Sequence, residues 1–298
     1  HFYGITSPLR VLPDFLVIGV GRGGTTSCFH YLSQHPSIIG SAYDEIGFFD
    51  ENFHLGLNWY RSMFPTKFLK KKIVKKFGKC LTYDVTPSYI RKPWVARRIK
   101  ELFPEIKLIV ILRNPIDRAY SHYHLSLRSG SEKSSFEEIT EEDMKIFQKF
   151  ENTNSMIDDK YFRTYIEKSY LGRGFYAQQL KIWFELFDPK QLLILTSEEL
   201  STETNKTMNK IFQFLDLPDY EIPDTAKRST GNYTNMKMDT RKKLISFYSK
   251  YNQDLFKLLN QDLILLRAKL LFTIDNHLNF GAPFFFVIIS TTSPFLSS

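Results

Sequence analysis

Four glycines, one arginine and three hydroxyl side chains crowd into the nine residues GVGRGGTTS, 19–27. That mixture suits an anion. Glycines let the backbone approach a charged group closely, and the free N–H groups at the start of a following helix direct partial positive charge toward it. The nucleoside-triphosphate version of such a loop reads G-x-x-x-x-G-K-[ST], with the lysine reaching the terminal phosphates and the hydroxyl holding magnesium. Gly19 and Gly24 keep that spacing, but Thr25 stands where the lysine belongs, and the positive charge lies inside the loop at Arg22. Thr25 and the lack of an obvious magnesium-holding aspartate disfavour a kinase or GTPase.

A loop of this kind needs a strand before it and a helix after it. Residues 15–20 form an apolar run that fits a buried strand, and residues 25–34 read as a helix. The other chemically loaded stretch, 113–123, also begins where a strand ends, because KLIVIL (107–112) is an apolar run suited to burial on both faces. A helix then runs to about Gly130, followed by a helical excursion over 131–168. Residues 80–90 read as a strand entering a loop. Residues 93–104 place Val95, Ile99, Leu102 and Phe103 at helical spacing and stop at Pro104. Residues 173–200 give helix, turn at Asp188-Pro189, and strand; helices over 204–217 and 239–261 follow. This alternation predicts a single α/β domain with a mainly parallel, doubly wound sheet flanked by helices. Ligands of such sheets bind at the carboxyl ends of the strands.

A chain of 298 residues with 43% hydrophobic content can bury one large core. Its formal net charge of +8 suits an anionic ligand or surface. No basic run is long enough for a nucleic-acid arm, so no nucleic-acid partner is expected, and the densest cluster, 67–79, reads as a solvated helix face. Cys28 and Cys80 offer neither a disulfide framework nor a zinc pattern, and Cys28 is expected in the core. No run of about 20 apolar residues is present; APFFFVIIS (282–290) is too short to span a membrane.

GVGRGGTTS followed by LRNPIDRAYSHY resembles the two cofactor signatures of the sulfotransferases, enzymes that use 3′-phosphoadenosine 5′-phosphosulfate (PAPS). DEIGFFD, WYRSMFP, DVTPSYI and GFYAQQLKIWFELF are similar to the carbohydrate branch, which includes heparan-sulfate enzymes and bacterial relatives. The likeness covers about 15–260, leaving an N-terminal extension, 1–14, and a C-terminal extension, 261–298, of no assigned role.

The resemblance implies roles for particular residues. Arg22, Gly23, Gly24, Thr25, Thr26 and Ser27 would hold the 5′-phosphosulfate, with Arg22 also neutralising the departing oxygen and no metal required. Arg113 and Ser121 match the residues that bind the 3′-phosphate, while Arg118 is expected to pair structurally. Arg228 and Gly231, in KRSTGNY (227–233), match a loop over the cofactor. DEIGFFD aligns with K-E-x-H-F-F-D and so implies that Glu45 is the catalytic base acting on the hydroxyl of a carbohydrate or other acceptor. Asp44, Gly47 and Val85 stand where that branch carries lysine, histidine and lysine. The loss of those cations weakens the case for a heparan-like acceptor relative to sulfotransfer itself. The branch acting on phenols, alcohols and steroids uses a histidine base, and His35, His122 and His124 do not fit its pattern. Eukaryotic carbohydrate sulfotransferases are anchored in the Golgi lumen, so an anchor upstream of His1 is expected; bacterial relatives are cytoplasmic. Asn205 and Asn232 head glycosylation sequons.

Overall fold

Five apolar runs become the strands β1 (Phe15–Gly19), β2 (Ile38–Gly40), β3 (Leu81–Val85), β4 (Lys107–Leu112) and β5 (Leu192–Thr196) in a computed structural model that describes residues 5–152, 160–228, 231 and 233–259. They hydrogen-bond in the order β2-β3-β1-β4-β5, every neighbouring pair parallel. The strand order reverses between β1 and β4, and a crevice at such a reversal is where open α/β sheets bind ligands.

Helices α1 (Thr25–Leu32), α2 (Gly56–Ser62), α3 (Lys67–Phe77), α4 (Pro93–Leu102) and α5 (Pro115–Arg128) fall between or after these strands. They are followed by α6 (Phe136–Asn152), α7 (Lys160–Lys168), α8 (Tyr176–Leu186), α9 (Ser197–Thr202), α10 (Thr204–Phe214) and α11 (Met238–Leu258). Alternate residues of the central strands serve opposite layers, as the period of a strand requires. Leu16, Ile18, Leu108 and Val110 join a core with Val95 and Ile99 of α4 and Trp183 of α8. Phe15, Val17, Ile109 and Ile111 join another with Cys28 of α1 and Met208 and Ile211 of α10. Each large apolar side chain so buried contributes about 1.5–3 kcal/mol before entropy is counted. A third core, with Ala119 of α5, Phe147 of α6 and Tyr248 of α11, holds the excursion after α5 against the domain.

Two details differ from the sequence reading. The first helix stops at Leu32 rather than at Gln34, because Pro36 has no N–H to continue it and disfavours a helical residue before it. The short strand β2 was not expected. Val85, which the resemblance marks as standing in place of a lysine, is fully buried in the core. Helix α3 buries none of its residues, in keeping with a solvated basic face. Residues 261–298, including the apolar segment 282–290, and Asn232 lie outside the described residues.

Candidate active site

The loop between β1 and α1 is shaped by what its glycines permit. A Cβ on Gly23 would lie 2.6 Å from the Ile111 carbonyl oxygen, so no side chain fits while the Gly23 amide donates to Val20 O at 2.8 Å. Gly24, at φ 93°, and Arg22, at φ 71°, both occupy the left-handed region, which costs an ordinary residue about 1–2 kcal/mol. Gly24 is the N-cap of α1 and supplies no capping side chain. The amides of Thr25, Thr26 and Ser27 therefore begin the helix without intrahelical partners, which is the arrangement that binds anions.

That loop opens into a cavity of about 730 Å³ at the carboxyl ends of the strands. Arg22, Gly24, Thr25, Thr26 and Ser27 line it from one side, and Arg113 and Ser121 from the other. Asn114 caps α5 by accepting from the amides of Ile116 and Asp117, at 3.0 and 3.4 Å, which fixes the helix that carries Ser121. Arg22 Nε donates to Ser121 Oγ at 3.1 Å, and Arg113 Nη1 donates to the Arg22 carbonyl at 2.9 Å. Burial, then Arg113, lowers the Arg22 pKa from its usual value, yet a guanidinium remains charged at any working pH.

Ser27 and Arg228 are already engaged with each other. The Ser27 hydroxyl accepts from the Arg228 amide at 2.9 Å, and the Arg228 guanidinium pairs with Asp224. Both residues line the cavity, as does Gly231, and their mutual bond ties the loop after α10 to α1.

Glu45 lines the same cavity from the loop after β2. Its backbone is left-handed at φ 59°, and its amide donates to Val85 O at 2.9 Å. Although the residue as a whole is exposed, the cavity wall desolvates its carboxyl and raises its pKa, with Asp44 adding to the rise and Arg22 and Arg91 opposing it. A carboxylate so raised is a better base than a free glutamate. Asp84 supports this loop from below. Its fully buried carboxylate accepts from Tyr60 at 2.9 Å, Tyr89 at 3.1 Å and Thr86 at 2.8 Å, and the Thr86 hydroxyl accepts in turn from the Gly47 amide at 3.3 Å. Burial pushes Asp84 up to about 6 against three hydrogen bonds that lower it.

Sequence reading missed part of the wall. Arg91, His122 and Arg173 line the cavity from three separate elements, and no linear spacing joins them. Arg118, given a structural role, also reaches the cavity; it is 2% exposed and donates to the Tyr170 carbonyl. Arg173 Nη1 donates to His122 Nε2 at 3.0 Å, which requires a neutral ring. Burial, then Arg173 and Arg118, pushes His122 down to about 2.

A sequence profile of the sulfotransferase domain matches residues 12–257. The chain belongs to the sulfotransferase family. This sulfotransferase is 32% identical over 210 residues to heparan sulfate glucosamine 3-O-sulfotransferase 3B1 of Mus musculus, covering 70% of the chain and 47% of that protein. It is 28% identical over 279 residues to bifunctional heparan sulfate N-deacetylase/N-sulfotransferase 3 of Homo sapiens, covering 84% of the chain and 30% of that protein. Membrane-associated sulfotransferase kil1 of Dictyostelium discoideum is 23% identical over 323 residues, with 87% and 67% covered. The chain thus spans less than half the length of the two heparan sulfate enzymes. A solved sulfotransferase from Alicyclobacillus acidocaldarius superposes with a TM-score of 0.63 at 25% identity, covering 86% of this chain and 99% of that one. No helix among the described residues is long and apolar enough to cross a membrane.

Proposed function

We propose that this sulfotransferase moves a sulfuryl group from PAPS to a hydroxyl of a carbohydrate acceptor, with Glu45 as the base. The observation that carries the reading is the meeting of Arg22, Arg113, Ser121 and Glu45 in one cavity at the strand-order reversal, although they come from three loops and a helix. The residues fit the donor: uncapped amides and Arg22 for the 5′ side, and a guanidinium fork at Arg113 beside the Ser121 hydroxyl for the 3′-phosphate. When bound, PAPS supplies the activated sulfuryl group, and adenosine 3′,5′-bisphosphate is the product. Glu45 takes the acceptor's hydroxyl proton as the new oxygen–sulfur bond forms. Arg22 would stabilise the charge that grows on the departing phosphate oxygen.

A histidine base of the kind used on phenols is disfavoured by His122 itself. Its Nε2 is occupied by Arg173, and a ring pushed down to about 2 has little basicity to offer. The carbohydrate acceptor is supported by the names of the heparan sulfate relatives. The same reading assigns 15–260 as the catalytic domain in a Golgi lumen, held by a segment upstream of His1. An upstream coding sequence with no apolar stretch of about 20 residues would contradict that placement. Asn205, the described sequon, spends its side-chain oxygen on the Ile222 amide at 2.8 Å.

Thermal shift tests the donor assignment. Adenosine 3′,5′-bisphosphate should raise Tm without magnesium, whereas stabilisation by ATP or GTP that depends on magnesium would favour phosphoryl chemistry instead.

A further inference from the structure

We infer that the outer face of helix α3 docks on the surface of an anionic lipid bilayer, with the Phe68 ring entering the headgroup region and lysines around it meeting the lipid charges. Phe68, Lys71, Lys72 and Lys75 follow at i, i+3, i+4 and i+7, the spacing that sets residues along one stripe of a helix. All four are exposed, Phe68 at 79%. The opposite stripe holds the helix to the domain. Lys70 Nζ donates to Asp14 Oδ2 at 2.6 Å, and Ile73 is half-buried. Thr66 caps the helix by accepting from the Leu69 amide at 3.2 Å, and Arg10 pairs with Thr66, so exposed Leu9 stands beside the start of α3.

The protein does not answer the charge of this face. Between Glu51 and Asp84 the chain carries seven lysines and no acidic residue. Lys70 and Lys79 pair with Asp14 at 2.6 Å and Asp216 at 3.6 Å. Among the described residues, Lys67, Lys71, Lys72, Lys75 and Lys76 have no carboxylate within 4.0 Å. Nor does the domain cover the apolar residues of α3. None is buried, and Leu69, Val74 and Phe77 are exposed along with Phe68.

Unpaired lysines complement a surface of acidic headgroups, and clusters of four to eight of them on an amphipathic helix suit such a surface. Lysines alone would serve any polyanion. Phe68 decides for lipid, because the boundary between headgroups and acyl chains receives an aromatic ring, whereas an acidic polysaccharide has no apolar interior to offer it. No residue of 67–79 lines the cavity, so this face and the donor site can be occupied together.

The test is co-sedimentation of the full chain with extruded vesicles, either phosphatidylcholine alone or an equal mixture with phosphatidylserine. Wild type should bind the mixed vesicles about tenfold more tightly or better, and high salt should weaken the binding. Lys71→Gln with Lys75→Gln should lower affinity for the mixed vesicles about 25-fold, about fivefold for each lysine near the charged surface. Phe68→Ala, which removes no charge, should lower it about tenfold. In Phe68→Trp the new indole should shift its emission to shorter wavelength and be quenched by brominated lipid, with the mixed vesicles only. These side chains are exposed, and an unchanged Tm in each variant reports an intact fold. Equal binding to both vesicle types would overturn the inference. So would binding that neither the lysine pair nor Phe68→Ala reduces, which places the lipid contact elsewhere in the chain. Retention on heparin that depends on Lys71 and Lys75 but not on Phe68, without vesicle binding, would assign the face to a polysaccharide and overturn it as well.

Discussion

Arg22 and Ser121, 99 positions apart in the chain, are joined by a hydrogen bond of 3.1 Å from guanidinium Nε to hydroxyl oxygen. The bond joins the loop after β1 to the helix after β4, the two elements that carry the proposed donor site. Urea unfolding of Arg22→Ala, Ser121→Ala and the double variant should yield a coupling energy of about 0.5–1.5 kcal/mol. Additivity within about 0.3 kcal/mol would show that the contact contributes nothing to the free protein.

Gly23 and Gly21 offer a contrast within one loop. Alanine at 23 would press its methyl group to 2.6 Å from the Ile111 carbonyl, whereas the same change at 21 meets nothing within 4 Å. Gly23→Ala should cost about 1–3 kcal/mol by overpacking and abolish the Tm rise with the bisphosphate. Gly21→Ala should stay within about 0.5 kcal/mol of wild type. Equal effects at the two positions would contradict this account of the loop.

Arg113 donates to the Arg22 carbonyl, and in the proposed assignment its fork would serve the 3′-phosphate. Arg113→Ala should weaken bisphosphate binding by about 2–4 kcal/mol in calorimetry, the range for truncating one member of a hydrogen-bonded charge pair. Unchanged affinity would remove Arg113 from the donor site.

Asp84 makes stability depend on pH in a stated direction. Its folded-state pKa, about 6, lies above the ordinary value of 3.8, so the folded protein holds the proton more tightly than the unfolded chain. The resulting stabilisation is fully present below pH 3.8 and is lost as pH rises through about 6, an amount of about 3 kcal/mol. Asp84→Asn cannot titrate. Relative to wild type, the stability of this variant should therefore improve by that order between about pH 4 and 6.5, measured by urea unfolding at each pH. A constant difference across the range would contradict the assignment.

The central sheet was legible because β1 and β4 are buried on both faces, which writes them into the sequence as uninterrupted apolar runs. The loop after β1 was legible for a related reason: its glycines, hydroxyls and arginine are contiguous. Strand β2 was not, since three residues are too few to display a period. Nor was the wall formed by Arg91, Arg118 and Arg173, whose members are brought together only by packing around Trp183 and the third core. Val85 shows the limit of reading by resemblance: the residue marked there as a lost cation is a core residue.

Glu45 as the base is tested most directly by transfer from radiolabelled PAPS to glycans and phenols by wild type and Glu45→Gln, with bisphosphate affinity measured in parallel. The amide keeps the shape and loses the basicity, so kcat on the glycan acceptor should fall about 100- to 10,000-fold while bisphosphate affinity stays within about twofold. The acid limb of the wild-type pH–rate profile should lie above the ordinary glutamate value of 4.5, because burial beside Asp44 raises this carboxyl. Transfer to phenols alone, at a rate that Glu45→Gln leaves undiminished, would contradict both the base and the carbohydrate acceptor.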